Sequence, residues 1–252
     1  NPSVIDTSLK DDLKRRDFSI NAIAYEVSTR KVYDPFDGIN HIKKKELHLL
    51  HKNSIKDDPS RLLRCSKYAS RLGFKISNKS LIQAQRMLKE WPWEFTQNEY
   101  GYKFPPGISI RIRMELSEIL KFDCLTEIIK KLAVWKSLAL LNEDIEVNNK
   151  FIRGLNWLNR LKGNAILYLI KDSKSLEISS DRFFINQKEK RYLKDFLEIK
   201  KYLKKHEKEI YKFTPSEWTK FIEERNLDAE TVKLLISDGV ICWRFFLRWL
   251  II

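Results

Sequence analysis

Asp57-Asp58-Pro59-Ser60-Arg61-Leu62-Leu63-Arg64-Cys65-Ser66-Lys67-Tyr68-Ala69-Ser70-Arg71-Leu72-Gly73-Phe74 holds a whole helix with both of its ends. Pro59 suits the first helical position, where its missing N–H needs no partner, and Asp58 before it is a natural N-cap. Leu62, Leu63, Tyr68, Ala69 and Leu72 recur at helix spacing, and the pattern stops at Gly73. Downstream the chain stays helical. Helices are expected over 79–91, 108–121, 123–141, 151–170, 187–212 and from Thr214-Pro215-Ser216-Glu217 onward, with a packed terminal helix over 229–252. Residues 92–107, with Pro92, Gly101, Pro105, Pro106 and Gly107, form the main loop, and polar 142–150 a joint. Upstream the pattern changes. Ser8 is a candidate N-cap, and residues 22–34 read as a short β-hairpin turning at Ser28-Thr29-Arg30. A sharp turn follows at Asp34-Pro35-Phe36-Asp37-Gly38. The fold class is therefore mainly α, with helices following a β-hairpin.

The 252 residues contain only 7 Gly and 7 Pro, which argues against a turn-rich sandwich or barrel. No run of 18 uncharged apolar residues occurs, so no spanning helix and no membrane partner is expected. Cys65, Cys124 and Cys242 are scattered and odd in number, as suits a reducing cytoplasm. His48-x-x-His51 is the sole close histidine pair and lacks the partners of a zinc site. Lys and Arg exceed Asp and Glu by 48 − 34 = 14, a balance that favours a phosphate-bearing partner, nucleic acid first. Between Lys188 and Lys212 ten basic residues face five acidic ones, a net +5. That run could follow an RNA backbone or be a solvated face. Trp91-Pro92-Trp93 could stack on bases or pack into a loop, whereas Trp157, Trp218, Trp243 and Trp249 read as core. The chain starts Asn1-Pro2-Ser3-Val4 and reads as the later part of a longer protein.

Two segments carry chemistry. In Arg15-Arg16-Asp17-Phe18-Ser19-Ile20-Asn21-Ala22, adjacent arginines can fork onto phosphate oxygens. Asp17 and Asn21 can bond ribose hydroxyls. Surface charges with a local salt bridge would give the same pattern. In the second segment Arg61, Arg64 and Lys67 follow Asp58 at i+3 steps along the helix. A carboxylate and an arginine three apart can face one planar base. Asp58 would accept from an exocyclic amino group and Arg61 donate to a ring acceptor, a pair that cytosine and adenine present and uracil and guanine do not.

Taken together, RRDFSINA, DPFDG, DDPSRLLR and Ser70-Arg71-Leu72-Gly73-Phe74 resemble, in order and spacing, the class II tRNA nucleotidyltransferase and bacterial poly(A) polymerase family. The family patterns are RRDFxxNA, a DPxxG turn, and EDPxRxLR followed by an ARLGF-like helix end. Coverage is good from about 8 to 90. The resemblance implies that Arg16 and Asp17 hold the incoming nucleotide's phosphates and ribose, with Asn21 in support. It implies that Asp58 and Arg61 template the base, and that Arg64 and Lys67 contact the nucleotide or its phosphates. Asp57 stands where the family has Glu, one methylene longer.

The resemblance also implies a division into the C-terminal part of a nucleotidyltransferase head (1–54), a helical neck (55–136) and a tRNA-binding body and tail (137–252). It implies CTP and ATP as substrates, tRNA as partner, and Mg²⁺ held by an Asp-x-Asp pair behind a Gly-Gly turn. No such pair occurs here, so the metal carboxylates are expected upstream of Asn1, and the chain by itself is expected to be inactive. The expected activity of the full protein is CCA addition. Alternatives are a poly(A) polymerase, a CC- or A-adding relative, or a non-catalytic RNA-binding remnant.

Overall fold

A computed structural model describes residues 8–91, 105–120, 125–174, 176–210 and 212–241. They fall into two compact units, one ending at Leu140 and one beginning at Leu141.

In the first unit, helix α1 (Leu9–Lys14) starts at Ser8, whose hydroxyl accepts from the Asp11 N–H. A 3-10 turn over Ser19–Asn21 leads into strands β1 (Ala24–Glu26) and β2 (Lys31–Tyr33). They pair antiparallel with Tyr25 opposite Val32, the expected hairpin. Asp34 then accepts from the Gly38 and Ile39 N–H groups at 2.7 and 2.9 Å, so the DPFDG turn launches helix α2 (Gly38–Lys44). Strand β3 (Glu46–Leu47) pairs in parallel with β4 (Lys75–Ile76), a pairing the helical reading beyond Asp58 did not anticipate. Two residues per strand are too few for an alternation signal.

Helix α3 (Ser54–Asp57) precedes α4 (Ser60–Arg71), which ends ahead of Gly73 at φ +67°. A left-handed residue after the last turn is where glycine costs least. Helix α5 (Asn78–Leu88) is capped by Ser77. Helices α6 (Pro106–Leu120) and α7 (Leu125–Val134) pack on α4, burying Leu62, Leu63, Ile112, Leu116, Ile128, Ile129 and Leu132. The expected helix over 123–141 is shorter. Lys136 adopts φ 57°, and only a 3-10 turn over Leu138–Leu140 continues. Trp91 is buried and its indole N–H donates to the Ala139 carbonyl at 3.0 Å, the packing alternative.

The second unit holds α8 (Asn149–Arg160), α9 (Ala165–Ile170), α10 (Leu176–Arg182), α11 (Gln187–Lys205), α12 (Glu207–Ile210), α13 (Pro215–Glu224) and α14 (Ala229–Ser237). The single helix expected over 151–170 is two, because Lys162 turns left-handed and Asn164 caps a fresh helix start. The one expected over 187–212 breaks at His206. Thr214 and Glu217 form a reciprocal capping box ahead of Pro215. Helix α14 ends at Ser237, before Gly239 at φ +72°, and residues 242–252 of the helix expected over 229–252 lie outside the described residues. Trp218 is buried and Trp157 half-buried. Pro92, Trp93, Gly101, Cys124, Cys242, Trp243 and Trp249 lie outside the described residues. No described helix is long and apolar enough to cross a membrane.

Candidate functional site

Phe18 builds the site from beneath. Its backbone forms an antiparallel bridge with Leu49, and its side chain is fully buried and meets the Tyr68 ring edge-on at 5.8 Å. This anchor sets the Arg15–Asn21 segment against α4. Between them lies an open cleft of about 480 Å³ lined by Arg15, Arg16, Asp17, Asn21, Asp58, Arg61, Arg64 and Tyr68. Six of the seven residues singled out from the sequence meet there, although their two segments lie some forty residues apart in the chain.

Asp17 is the hub. Its side chain is only 5% exposed. One carboxylate oxygen accepts from its neighbour's N–H, that of Phe18, at 2.8 Å and from the Asn21 amide at 2.9 Å. The other accepts from Arg64 at 2.9 Å. Both oxygens are thus engaged by protein donors. Arg15 and Arg16 stand at the rim, 68% and 55% exposed, and both donate to Asp12, at 2.5 and 3.0 Å. Those bonds, Arg16's first, hold the Asp12 carboxyl below its ordinary range.

Asp58 is the N-cap the sequence suggested. One oxygen accepts from the Ser60 N–H at 3.1 Å and the Ser60 hydroxyl at 2.6 Å. The helix is assigned from Ser60, one residue later than expected, although Pro59 already has helical dihedrals. The other Asp58 oxygen lies 3.6 Å from the Arg111 guanidinium on α6. Arg61 donates through one terminal nitrogen to the Ser54 hydroxyl (2.8 Å) and carbonyl (3.1 Å). Through the other it donates to the Arg15 carbonyl (2.9 Å). That last bond ties the two segments together directly.

Lys67 does not line the cleft. It donates to Glu115 at 3.0 Å, and Tyr68 takes the expected place beside Arg64. The reason is helical phase. At 3.6 residues per turn each i+3 step falls about 60° short of a full turn. Two steps carry Lys67 about 120° from Arg61, whereas Tyr68, seven on, returns to within about 20° of it. The heptad-like spacing of Arg61 and Tyr68 was a legible signal for Tyr68. Arg111 and Glu115 had none, since an exposed-looking i, i+4 charge pair says nothing about a partner fifty residues away.

Arg64 donates from Nε to Glu115 at 3.0 Å as well as to Asp17. Burial disfavours its charge, but the two carboxylates outweigh that and raise its pKa. The chain of partners runs Asn21–Asp17–Arg64–Glu115–Lys67. Cys65 beside it is fully buried, and burial pushes its thiol pKa up. His48 stacks on His41, ring centroids 3.6 Å apart, rather than pairing with His51. Among the described residues no three His, Cys, Asp or Glu side chains gather to hold a metal ion. The cleft can therefore bind a polyanion at its arginine rim and read a polar edge at Asp58 and Arg61.

Residues 1–48 match the Poly A polymerase head domain family. An A-adding tRNA nucleotidyltransferase of Aquifex aeolicus is 33% identical over 189 residues, 72% of this chain and 20% of that protein. A CCA-adding enzyme of Marinobacter nauticus is 33% identical over 132 residues, 50% of this chain and 33% of that one. The chain thus spans only about a fifth to a third of these curated relatives. A solved CCA-adding enzyme in complex with CTP superposes with TM-score 0.71 at 21% identity, covering 96% of this chain and 60% of that one. The Thermotoga maritima CCA-adding enzyme complexed with tRNA gives 0.69 at 21%, covering 92% and 59%. At such identity these two likenesses establish the fold.

Proposed function

We propose, since the chain belongs to the class II tRNA nucleotidyltransferase and poly(A) polymerase family, that it supplies nucleotide selection and RNA binding to an enzyme that extends tRNA 3′ ends with CMP and AMP from CTP and ATP. The observation that carries this reading is the cleft itself. It gathers the RRDFSINA and DDPSRLLR residues around one space with cations at the rim and an acceptor–donor pair inside.

By this reading residues 1–54 close a nucleotidyltransferase head, 55–136 form the neck and 137–252 the tRNA-binding body and tail. Arg15 and Arg16 exchange Asp12 for the triphosphate, an anion of higher charge that each guanidinium can grip through two N–H groups. Asp58 accepts from the amino group of cytosine or adenine, and Arg61 donates to the adjacent ring acceptor. A uracil carbonyl opposite Asp58 would set two acceptors against each other, and that mismatch is the discrimination. Asp17, itself held by Asn21 and the Phe18 N–H, acts by bracing Arg64, and Arg61 holds the Arg15 carbonyl. Mg²⁺ supplies activation of the attacking hydroxyl and charge neutralisation in this chemistry. This reading gives its ligands to carboxylates outside the chain, so the chain alone transfers no nucleotide. The protein works in the cytoplasm, with the tRNA.

The test is incorporation by the intact protein of labelled CTP and ATP, with Mg²⁺, into tRNA ending before, within or just short of CCA. Addition of C, C and A supports the reading. Addition of A to a tRNA ending in CC, with no C added to the shorter tRNAs, would make it an A-adding enzyme, as the Aquifex relative is named. A long A tract would make it a poly(A) polymerase. RNA binding without incorporation would leave a non-catalytic remnant.

A further inference from the structure

Glu115 on α6 bonds two residues of the α4 basic face. One of its carboxylate oxygens accepts from Arg64 Nε and the other from Lys67 Nζ, both at 3.0 Å, and its side chain is 16% exposed. Asp17 holds Arg64 at a different nitrogen, 2.9 Å away. A guanidinium held at one nitrogen can swing about that bond. Held at two by carboxylates on separate elements, its plane is set. Nε and one terminal nitrogen are then committed, and the other terminal nitrogen is the one left, among the described residues, for the cleft that Arg64 lines. Glu115 also offsets charge in a region carrying Arg15, Arg16, Arg61, Arg64, Lys67 and Arg111.

We propose that Glu115 is a positioning residue for the incoming nucleotide, acting through Arg64, whose free edge it aims into the cleft. The inference rests on the nucleotide-binding reading above and adds to it a residue that lies outside both motifs. Glu115 touches no nucleotide itself.

The test uses the intact protein and its Glu115→Gln and Glu115→Asp variants, with ATP and CTP titrated by calorimetry and incorporation measured alongside. Glu115→Gln keeps an acceptor for one partner and loses the other, so affinity for both nucleotides should fall about tenfold. KM should rise in step, and kcat should stay within about threefold. Glu115→Asp, which keeps the charge on a shorter arm, should recover part of the loss even if the Gln variant folds poorly. In an Arg64→Ala background, Glu115→Gln should cost no further affinity. Unchanged binding by Glu115→Gln, or an equal loss with and without Arg64, overturns the inference. A wild type that binds nucleotides but transfers none overturns the tRNA-extension reading and leaves the Glu115 result standing. A wild type that binds neither nucleotide overturns both.

Discussion

Asp58 serves two masters, and its geometry lets them be separated. One oxygen caps α4 through Ser60, while the other faces Arg111 and the cleft. Asn caps a helix about as well as Asp and can keep its carbonyl oxygen on Ser60. The amide nitrogen would then replace the outward acceptor with a donor. Asp58→Asn is expected to fold with stability within about 0.5 kcal/mol of wild type. Its preference for CTP over UTP should shrink by about 1–3 kcal/mol, roughly 5- to 150-fold in relative kcat/KM. An unchanged ratio in a folded variant would reduce Asp58 to a cap.

His41 gives a second test at this scale. Burial first, then the stacked His48, lowers its pKa from the ordinary 6.5, against the opposing pull of Asp37 and Glu46. The unfolded chain therefore binds this proton more readily than the folded one. Stability should rise with pH around and below 6.5 and level off above it. Burial lowers His51 in the same sense. Thermal midpoints between about pH 5 and 7.5 should show that rise, and His41→Gln should flatten part of it. A pH profile unaltered by His41→Gln would deny the stack any part in acid sensitivity.

Among the elements, the approach of α2 to the 3-10 turn is the tightest constraint on the site. A Cβ on Gly38 would lie 2.3 Å from the Ser19 carbonyl oxygen and 2.8 Å from Ile23. Backbone cannot step aside as a side-chain tip can, and Ser19 is two residues from Asp17. Gly38→Ala should cost about 1–3 kcal/mol and weaken nucleotide binding together with stability. Gly73 makes the contrast, since a Cβ there meets nothing and only its φ of +67° objects. Gly73→Ala should cost about 1 kcal/mol and leave nucleotide affinity alone. Denaturant melts and nucleotide titrations of the pair separate the two effects. Nucleotide affinity reduced equally by both variants would refute this role for the α2 contact.

Over the whole molecule, charge and core divide the labour. Each unit has its own apolar interior. The second also holds a ring of four charges, of which Lys171 and Asp238, both 4% exposed, bond each other at 2.9 Å beneath two partly exposed partners. Lys200 and Asp172 complete that ring. Inside α11, Leu193, Phe196 and Leu203 are buried while Lys190, Arg191, Lys194, Lys201 and Lys205 face outward. With a net charge of +14, RNA affinity should come largely from released counterions. Binding of tRNA by the intact protein should weaken at least about tenfold between roughly 50 and 200 mM salt. An affinity that ignores salt would remove the basic surface from the account.

Periodicity and caps made the helical class legible, because apolar spacing, Ser8, Thr214-Pro215 and Gly73 act within a few residues of themselves. The hairpin and the DPFDG turn were legible for the same local reason. The residues of the cleft could be nominated from their chemistry and from resemblance. Their meeting could not, since it depends on Phe18 docking against Tyr68 and on the Arg61 bond to the Arg15 carbonyl. Helical phase decided that Tyr68, not Lys67, lines the space. Packing of α6 on α4 decided that Glu115 would hold Arg64 and Lys67 and that Arg111 would face Asp58. Two-residue strands, the break at Lys162 and the stop at Gly239 likewise rest on contacts and dihedrals that local spacing does not encode. The sequence determined which groups could bind a nucleotide, because that is a property of side chains. Only the tertiary structure decided which of their nitrogens and oxygens are already engaged, because that is a property of neighbours.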